Sequence, residues 1–153
     1  MLLDWFLLLV PVLLLPVLLL LAFTGCTVGE DSRPELTFIL QHNLAVPVPP
    51  VTEVWFSWTR DGYSPSPVVV DTPEDPNAQI LEFRVQPELP ETGEVWTVTC
   101  LAFAGAIGFD QASCGPFELV SPTGVYTVKF EIVADPQGGG RVQVSPGGCP
   151  TPS

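Results

Sequence analysis

Residues 124–145 read GVYTVKFEIVADPQGGGRVQVS, and this stretch carries the plainest structural signal in the chain. Apolar side chains occupy every second position from 126 to 132, which is the period of a β-strand that buries one face. The Asp-Pro-Gln-Gly-Gly-Gly run at 135–140 predicts a turn, after which Val142 and Val144 resume the alternation. Composition and periodicity therefore predict a β-hairpin.

The same period of two recurs towards the N-terminus. Further strands are predicted at 35–44, 51–60, 68–70, 79–86, 94–103 and 117–120. The strand at 94–103 carries apolar residues on both faces and is predicted to be central in its sheet and covered on both sides, whereas 105–115 is predicted to be an irregular loop. Because no segment after residue 26 has a 3.6-residue period, residues 35–145 are predicted to form an all-β, antiparallel sandwich of about seven strands.

Part of the last hairpin resembles a known family. Residues 123–128 read TGVYTV and are similar to the Gly-x-Tyr-x-Val run in the penultimate strand of immunoglobulin-like and fibronectin-type bacterial surface modules. Residues 92–98, TGEVWTV, repeat the pattern more weakly. The resemblance implies an immunoglobulin-like sandwich. No cysteine early in the domain is placed to form the antibody-type inter-sheet disulfide with Cys100.

The N-terminus predicts contact with a membrane. Residues 1–26 read MLLDWFLLLVPVLLLPVLLLLAFTGC, with no charge from 5 to 23. As a helix these 19 residues would span roughly 28 Å, close to the thickness of a bilayer core. Pro11 and Pro16 interrupt such a helix, which favours a cleaved signal peptide over a spanning segment. Residues 1–25 are therefore predicted to be a hydrophobic helix that acts as a signal peptide or membrane anchor.

The end of this segment, Phe23-Thr24-Gly25-Cys26, resembles the lipobox of bacterial lipoproteins: a bulky apolar residue, two small residues and a cysteine. The resemblance implies that the thiol of Cys26 is acylated and that the chain is cut just before it. Two features depart from that pattern, since Phe23 replaces the usual leucine and Asp4 is the one charge near the start. An uncut single-span anchor and a plain secreted form are the alternatives. All three place the remaining chain outside the cytoplasm, and the predicted location is the cell envelope, with the chain anchored to a membrane.

The excess of acidic residues after Cys26 restricts the classes of partner that the remaining chain can bind. Sixteen acidic residues follow Cys26 against five basic ones, and such a surface repels phosphate backbones, which excludes nucleic acid as a partner. The expected partners are the membrane, through the N-terminal lipid or helix, and a protein or a glycan. Residues 26–34 are predicted to be a polar tether, and the Pro- and Gly-rich residues 146–153 a flexible tail.

Three cysteines remain if Cys26 carries a lipid, and an oxidising compartment favours disulfides between them. The predicted pair is Cys100 with Cys114, because the first lies in a strand and the second lies just beyond a glycine-rich excursion that could fold back onto it. The chain has no Cys-x-x-Cys run and a single histidine, a poor set of zinc ligands. No metal and no cofactor are predicted.

Residues for catalysis are also scarce. His42 follows the first strand with no serine or cysteine nearby to activate, so it is interpreted as a surface or edge histidine, and the protein as a non-enzyme. Asp71, Glu74 and Asp75 share one loop but lack the glycine and the ligand alternation of a calcium loop.

Aromatic residues give a better indication of ligand binding. Trp55 lies on the outward face of its strand, and with Tyr63 it could form a platform on which a sugar ring stacks. The alternative is that Trp55 packs under a loop. The sequence thus leaves two functions open: a lipid-anchored module for adhesion, scaffolding or surface assembly, and a surface lipoprotein that binds a glycan or a cation. A single-span anchored protein of other function is a third.

Overall fold

The structure is a computed structural model that describes residues 32–150. The chain from Arg33 onward forms one compact unit. The described residues contain nine strands: β1 (Glu35–Asn43), β2 (Glu53–Arg60), β3 (Val68–Val70), β4 (Ile80–Val85), β5 (Val95–Ala104), β6 (Ile107–Gly108), β7 (Ala112–Glu118), β8 (Val125–Ala134) and β9 (Gly140–Val144). The prediction of an all-β domain is confirmed. The predicted N-terminal helix and Cys26 lie outside the described residues, and within 32–150 no helix is long and apolar enough to cross a membrane.

The strands form two sheets. Sheet A has the order β4-β1-β8-β9, and sheet B has the order β3-β2-β5, with both β6 and β7 on the far edge of β5. All pairings are antiparallel except β1 with β8, in which Glu35 stands opposite Val125 and the two strands run the same way. The chain leaves β7 in sheet B, crosses through 119–124, and enters β8 at the end where β1 also begins.

Aromatic side chains fill the space between the sheets. The ring of Phe38, on β1 of sheet A, lies 5.4 Å from Trp58, 6.1 Å from Phe56 and 6.2 Å from Trp96, all on sheet B. Phe56 in turn lies 6.4 Å from Phe130 of β8. Because burying one such side chain stabilises a fold by about 1.5–3 kcal/mol, this cluster is the main source of cohesion between the sheets.

Strand β5 shows how the period of two produces the core. Trp96, Val98, Cys100 and Ala102 are all fully buried, while the residues between them are partly exposed. The prediction that this strand is central is confirmed, since β2 pairs with one of its edges and β6 and β7 pair with the other. The prediction that both its faces are covered is wrong, because the outward residues are partly exposed.

The segment predicted as an irregular loop, 105–115, contains β6 and the first half of β7. Its Cys-Gly-Pro run breaks most strands, but here Gly115 has φ 125° and the peptide bond to Pro116 is cis. A Cβ on Gly115 would lie 2.6 Å from the carbonyl oxygen of Trp96, at an irregularity in the β5–β7 register. The strand continues through this point because glycine permits both the conformation and the close approach.

The Gly-x-Tyr run fixes the entry into β8. The hydroxyl oxygen of Tyr126 accepts a hydrogen bond from the backbone N–H of Ser121 at 2.9 Å. The ring of Tyr126 covers Gly124 so closely that a Cβ there would lie 2.6 Å from a ring carbon. The Gly-x-Tyr pattern therefore has a local structural cause, which is to hold the turn that carries the chain from sheet B to sheet A.

The predicted disulfide between Cys100 and Cys114 is wrong. Cys114 bonds to Cys149, with Cα atoms 5.7 Å apart, and Cys100 is a free, buried thiol. The register explains the difference, since Cys114 stands opposite Val98 and Cys100 stands opposite Ala112. Two such diagonal neighbours have Cα atoms about 7–8 Å apart, too far for a disulfide.

The disulfide joins β7 of sheet B to the residues that follow β9. These residues, part of the predicted flexible tail 146–153, form a turn against β8: the N–H of Lys129 donates to the carbonyl oxygen of Gly148 at 2.7 Å, and the N–H of Ser145 donates to the carbonyl oxygen of Lys129 at 2.9 Å. This part of the tail is bound to the domain, and residues 151–153 lie outside the described range.

Candidate functional site

The domain has two ends that differ in their connection to the N-terminus. We call the end where β1 begins the proximal end; there Glu35 pairs with Val125, and β4 ends as Val85 pairs with Phe38. We call the opposite end the distal end. It is formed by the segments that leave β1, β3, β5 and β8: 44–52, 71–79, 105–111 and 135–139.

A cleft of about 680 Å³ opens at the distal end, and we call it the distal cleft. Its walls come from Pro49, from residues 107–110 and from residues 135–141. Apolar surface comes from Pro49 and Ile107, and charge comes from Asp110, Asp135 and Arg141. The cleft thus combines apolar surface with both signs of charge, which suits a ligand or a protein loop of mixed polarity.

Backbone hydrogen bonds hold the charged side of the distal cleft. The N–H of Val142 donates to the carbonyl oxygen of Asp110 at 2.9 Å, and the N–H of Asp135 donates to the carbonyl oxygen of Gly139 at 3.0 Å. The carboxylate of Asp135 accepts the N–H of Gln137 at 2.7 Å, a turn-closing contact typical of aspartate. Within residues 32–150, ion pairs engage Arg60 and Arg84 but not Arg141, so its guanidinium is open to a ligand.

The segment that contributes Pro49 to the apolar side of the distal cleft is hydrogen-bonded to His42. The interpretation of His42 as a surface or edge histidine is wrong, because its side chain is 0% exposed. It occupies the last inward position of β1, and its Nδ1 accepts the N–H of Val51 at 3.2 Å. Its Nε2 has no hydrogen-bond partner among the described residues. Burial lowers the pKa of His42, because the charged ring would lose its hydration.

Trp55 and Tyr63 both face solvent but do not form one platform. They are 37% and 63% exposed. Tyr63 bridges to Arg60 at the proximal end of β2, five residues from Trp55, which corresponds to roughly 17 Å along a strand. The sequence suggested a shared site because Tyr63 lies just beyond the turn that ends the strand of Trp55.

Trp55 instead belongs to an apolar patch on the outer face of sheet B. Its ring lies 5.2 Å from the ring of Phe103, and its register partners are Val69 and Leu101. The indole N–H donates to the carboxylate of Glu53. Trp55 is therefore held by its neighbours yet keeps more than a third of its surface in contact with solvent.

Hydroxyl groups lie next to this patch. Ser57 stands opposite Thr99 across β2 and β5, and the hydroxyls of Thr99 and Ser113 are 2.8 Å apart. The outer face of sheet B thus presents aromatic and hydroxyl groups side by side.

The acidic residues of 71–79 have partners within the protein. The carboxylate of Glu74 forms an ion pair with Arg84 at 3.4 Å, and the carboxylate of Asp75 accepts the N–H of Asn77 at 2.9 Å. Asp71 accepts a hydrogen bond from the hydroxyl of Thr72 at 3.2 Å. Within residues 32–150 no three His, Cys, Asp or Glu side chains are grouped to hold a metal ion.

Cys100 has no reactive character. It is fully buried between the sheets, and burial raises the pKa of its thiol because the apolar surroundings disfavour the thiolate.

Sequence reasoning missed the distal cleft, although the Gly138-Gly139-Gly140 turn that forms one wall had been found. What could not be found from sequence was that 105–111 lies against that turn. Asp110 pairs with Arg141 in an isolated bridge that joins the two sheets across 31 positions of chain.

Comparisons with protein-family models, with curated proteins and with solved structures find no match to the chain.

Proposed function

We propose that the chain is a lipid-anchored, extracytoplasmic β-sandwich module of the cell envelope that acts in adhesion, scaffolding or surface assembly. The supporting observation is that the two ends of the domain differ. The chain enters it at the proximal end, while the distal cleft lies at the opposite end, among three of the four connecting segments there. Binding groups on loops at the far end of a rigid sandwich are the arrangement by which such folds present a recognition surface.

The sandwich is, in this proposal, immunoglobulin-like. The neighbours β1–β4 and β3-β2-β5-β7 match the B–E and C′-C-F-G neighbours of that fold, and β8 occupies the place of strand A beside B. Two details differ from it: β8 runs parallel to β1, and β9 is added outside β8. Trp58 on β2 packs against Phe38 at the position where antibody domains place a tryptophan against a disulfide.

A non-enzymatic role is supported by the burial and the internal contacts of the side chains that catalysis would use. The single histidine and the free thiol are buried in the core, and the acidic residues of 71–75 are held by neighbours. The anchoring part of the proposal depends on Cys26, which lies outside the described residues.

The proposal is tested with the full chain in the membrane of a bacterial host. A photo-crosslinking amino acid at Gln137, in the distal loop, should capture a surface partner, whereas the same group at Pro122, at the proximal end, should capture none. Both positions are exposed and lie in turns, so they are matched in accessibility. Equal capture at both positions would contradict a distal interaction site.

The mass of the membrane-extracted chain should show an acylated Cys26 as its first residue, and an intact Met1 with a free Cys26 thiol would favour the spanning anchor.

The apolar patch of Trp55 and Phe103 supports a second candidate function, which is glycan binding. An exposed indole held by a second ring, next to the hydroxyls of Thr99 and Ser113, is the chemistry that stacks on and hydrogen-bonds to a sugar.

For this candidate, Trp55→Ala should abolish retardation of the protein in gels that contain neutral polysaccharide. Tyr63→Ala should leave retardation unchanged, because Tyr63 lies at the other end of β2. A wild-type protein that migrates equally with and without each polysaccharide would rule this function out for the sugars tested.

A further inference from the structure

The position of His42 is unusual for a titratable side chain. It follows Leu36, Phe38 and Leu40 as the fourth inward residue of β1, is 0% exposed, and stands opposite Leu81 of β4. An apolar residue would fit these neighbours without the cost of burying a polar ring. The one polar contact that the ring makes within residues 32–150 is with the backbone of Val51, the second-last residue of the connecting segment 44–52.

This contact fixes the protonation state of His42. The backbone N–H of Val51 is a donor, so Nδ1 must be the acceptor and the proton of the neutral ring must lie on Nε2. Protonated imidazole carries a proton on both nitrogens and has no acceptor. The charged ring would therefore place two donors face to face and could not keep the bond to Val51.

We propose that His42 is an acid-sensitive latch: its neutral ring holds segment 44–52 against the core, and its protonation releases that segment and opens one wall of the distal cleft. Pro49 of this segment lines the cleft. The start of the segment is hydrogen-bonded to Asn43 and Gln79, and Thr52 at its end is hydrogen-bonded to Phe103 and Gly105. Val48 and Val51 also pack against the core. From 47 to 51, the bond of Val51 to His42 is the one hydrogen bond to a strand among the described residues, so without it this stretch is held by apolar packing alone.

Among residues 32–150, no charged group faces His42 from the elements packed around it, and burial is the one cause of its lowered pKa. Strand β4 presents Leu81, and segment 44–52 contains no titratable residue. Glu82 of β4 and Glu131 of β8 pair with Gln41, on the outer face of sheet A, where they accept hydrogen bonds from Gln41 and Gln143. No carboxylate would therefore stabilise the charged ring of His42. The charged ring must be hydrated instead, which requires segment 44–52 to open.

The direction of the effect follows from linkage. Burial lowers the pKa of His42 from its ordinary value of 6.5, so the open form binds the proton at a higher pH than the closed form does. The closed form is favoured above pH 6.5, and its stability relative to the open form falls as the pH falls towards the lowered pKa. Between pH 7.5 and 5.5 the population with 44–52 open should rise about tenfold while the closed form stays neutral. His42 is the single histidine of the chain, and carboxylates titrate mainly below this range.

The test is hydrogen exchange of the full chain in detergent micelles, at pH 7.5 and 5.5, corrected for the intrinsic pH dependence of exchange. The amide of Val51 should show about a tenfold rise in opening, while the core amides of β5 show none. His42→Asn keeps an acceptor at the place of Nδ1 but does not titrate, and in this variant the rise should stay below about twofold. A rise of the same size in His42→Asn, or none in the wild type, overturns the latch.

A second measurement on the wild type keeps the proposal testable if His42→Asn fails to fold. The ring protons of the one histidine should titrate in the NMR spectrum with a midpoint below 6.5, together with shifts in residues 44–52. A midpoint at or above 6.5 overturns the latch, because the closed form would then favour the charged ring.

Discussion

Replacing Trp96 by alanine should lower the free energy of unfolding by about 3–5 kcal/mol. The side chain is 0% exposed, and its ring lies 6.2 Å from Phe38 and 6.3 Å from Trp58. Its indole N–H donates to the carboxylate of Glu94 at 3.2 Å, and the guanidinium of Arg60 lies 5.6 Å from the ring centre. The substitution removes an aromatic ring from the contact between the sheets and leaves a cavity that its rigid neighbours fill poorly.

The measurement is urea denaturation of the chain from residue 27 onward, followed by far-UV circular dichroism. Trp55→Ala is the matched control, because it deletes the same side chain from the same sheet at a partly exposed position, and it should cost about 1 kcal/mol. Since small domains are stable by only about 5–15 kcal/mol, this loss removes a large share of the stability of the domain. Equal losses in the two variants would mean that Trp96 is not the centre of the core.

Removing the disulfide by replacing both Cys114 and Cys149 with alanine should cost roughly 4 kcal/mol. The bond closes a loop of 35 residues, and in the chain-entropy model a loop of that length restricts the unfolded state by about this amount. The loop contains β8, the strand that pairs with both β1 and β9. Loss of the bond should therefore loosen sheet A at its β9 edge first.

Reductant distinguishes this disulfide from the alternative one. Dithiothreitol should lower the denaturation midpoint of the wild type and, to the same extent, that of Cys100→Ala, which keeps the Cys114–Cys149 bond. The double variant should not respond. If Cys100→Ala failed to respond instead, the pairing expected from sequence would be the correct one.

The sequence predicts most strands because their signal is local. Alternation within one strand is enough to find β1, β2, β4, β5 and the β8–β9 hairpin, each within one or two residues of its observed bounds. It does not predict which face of β5 is buried, because apolar residues occupy both faces of that strand. The extent of β7 was missed because Gly115 and Pro116 are strand breakers unless the partner strand leaves room for them, and that room is a property of β5.

The candidate site was harder to predict, because it depends on contacts between distant segments. The burial of His42 requires that 44–52 folds back over the end of β1, and nothing in Gln41-His42-Asn43 reveals it. Cys114 reaches Cys149 through a turn after β9 that had been interpreted as tail. Trp55 was correctly placed on the outward face, but its partner proved to be Phe103 of β5 rather than Tyr63.

The parallel pairing of β1 with β8 affects the time at which the fold can form. Glu35 and Val125 are 90 residues apart in the chain, yet they are direct neighbours in sheet A. A chain that emerges with its N-terminus first can pair β1 with β4, but the edge of β1 that pairs with β8 stays unpaired until most of the domain has been made. Contacts of such long sequence separation slow folding, since the loop must close before any pairing stabilises it. We therefore expect sheet B and the β1–β4 pair, whose strands pair over shorter separations, to assemble first and to serve as the surface on which β8 and β9 complete sheet A.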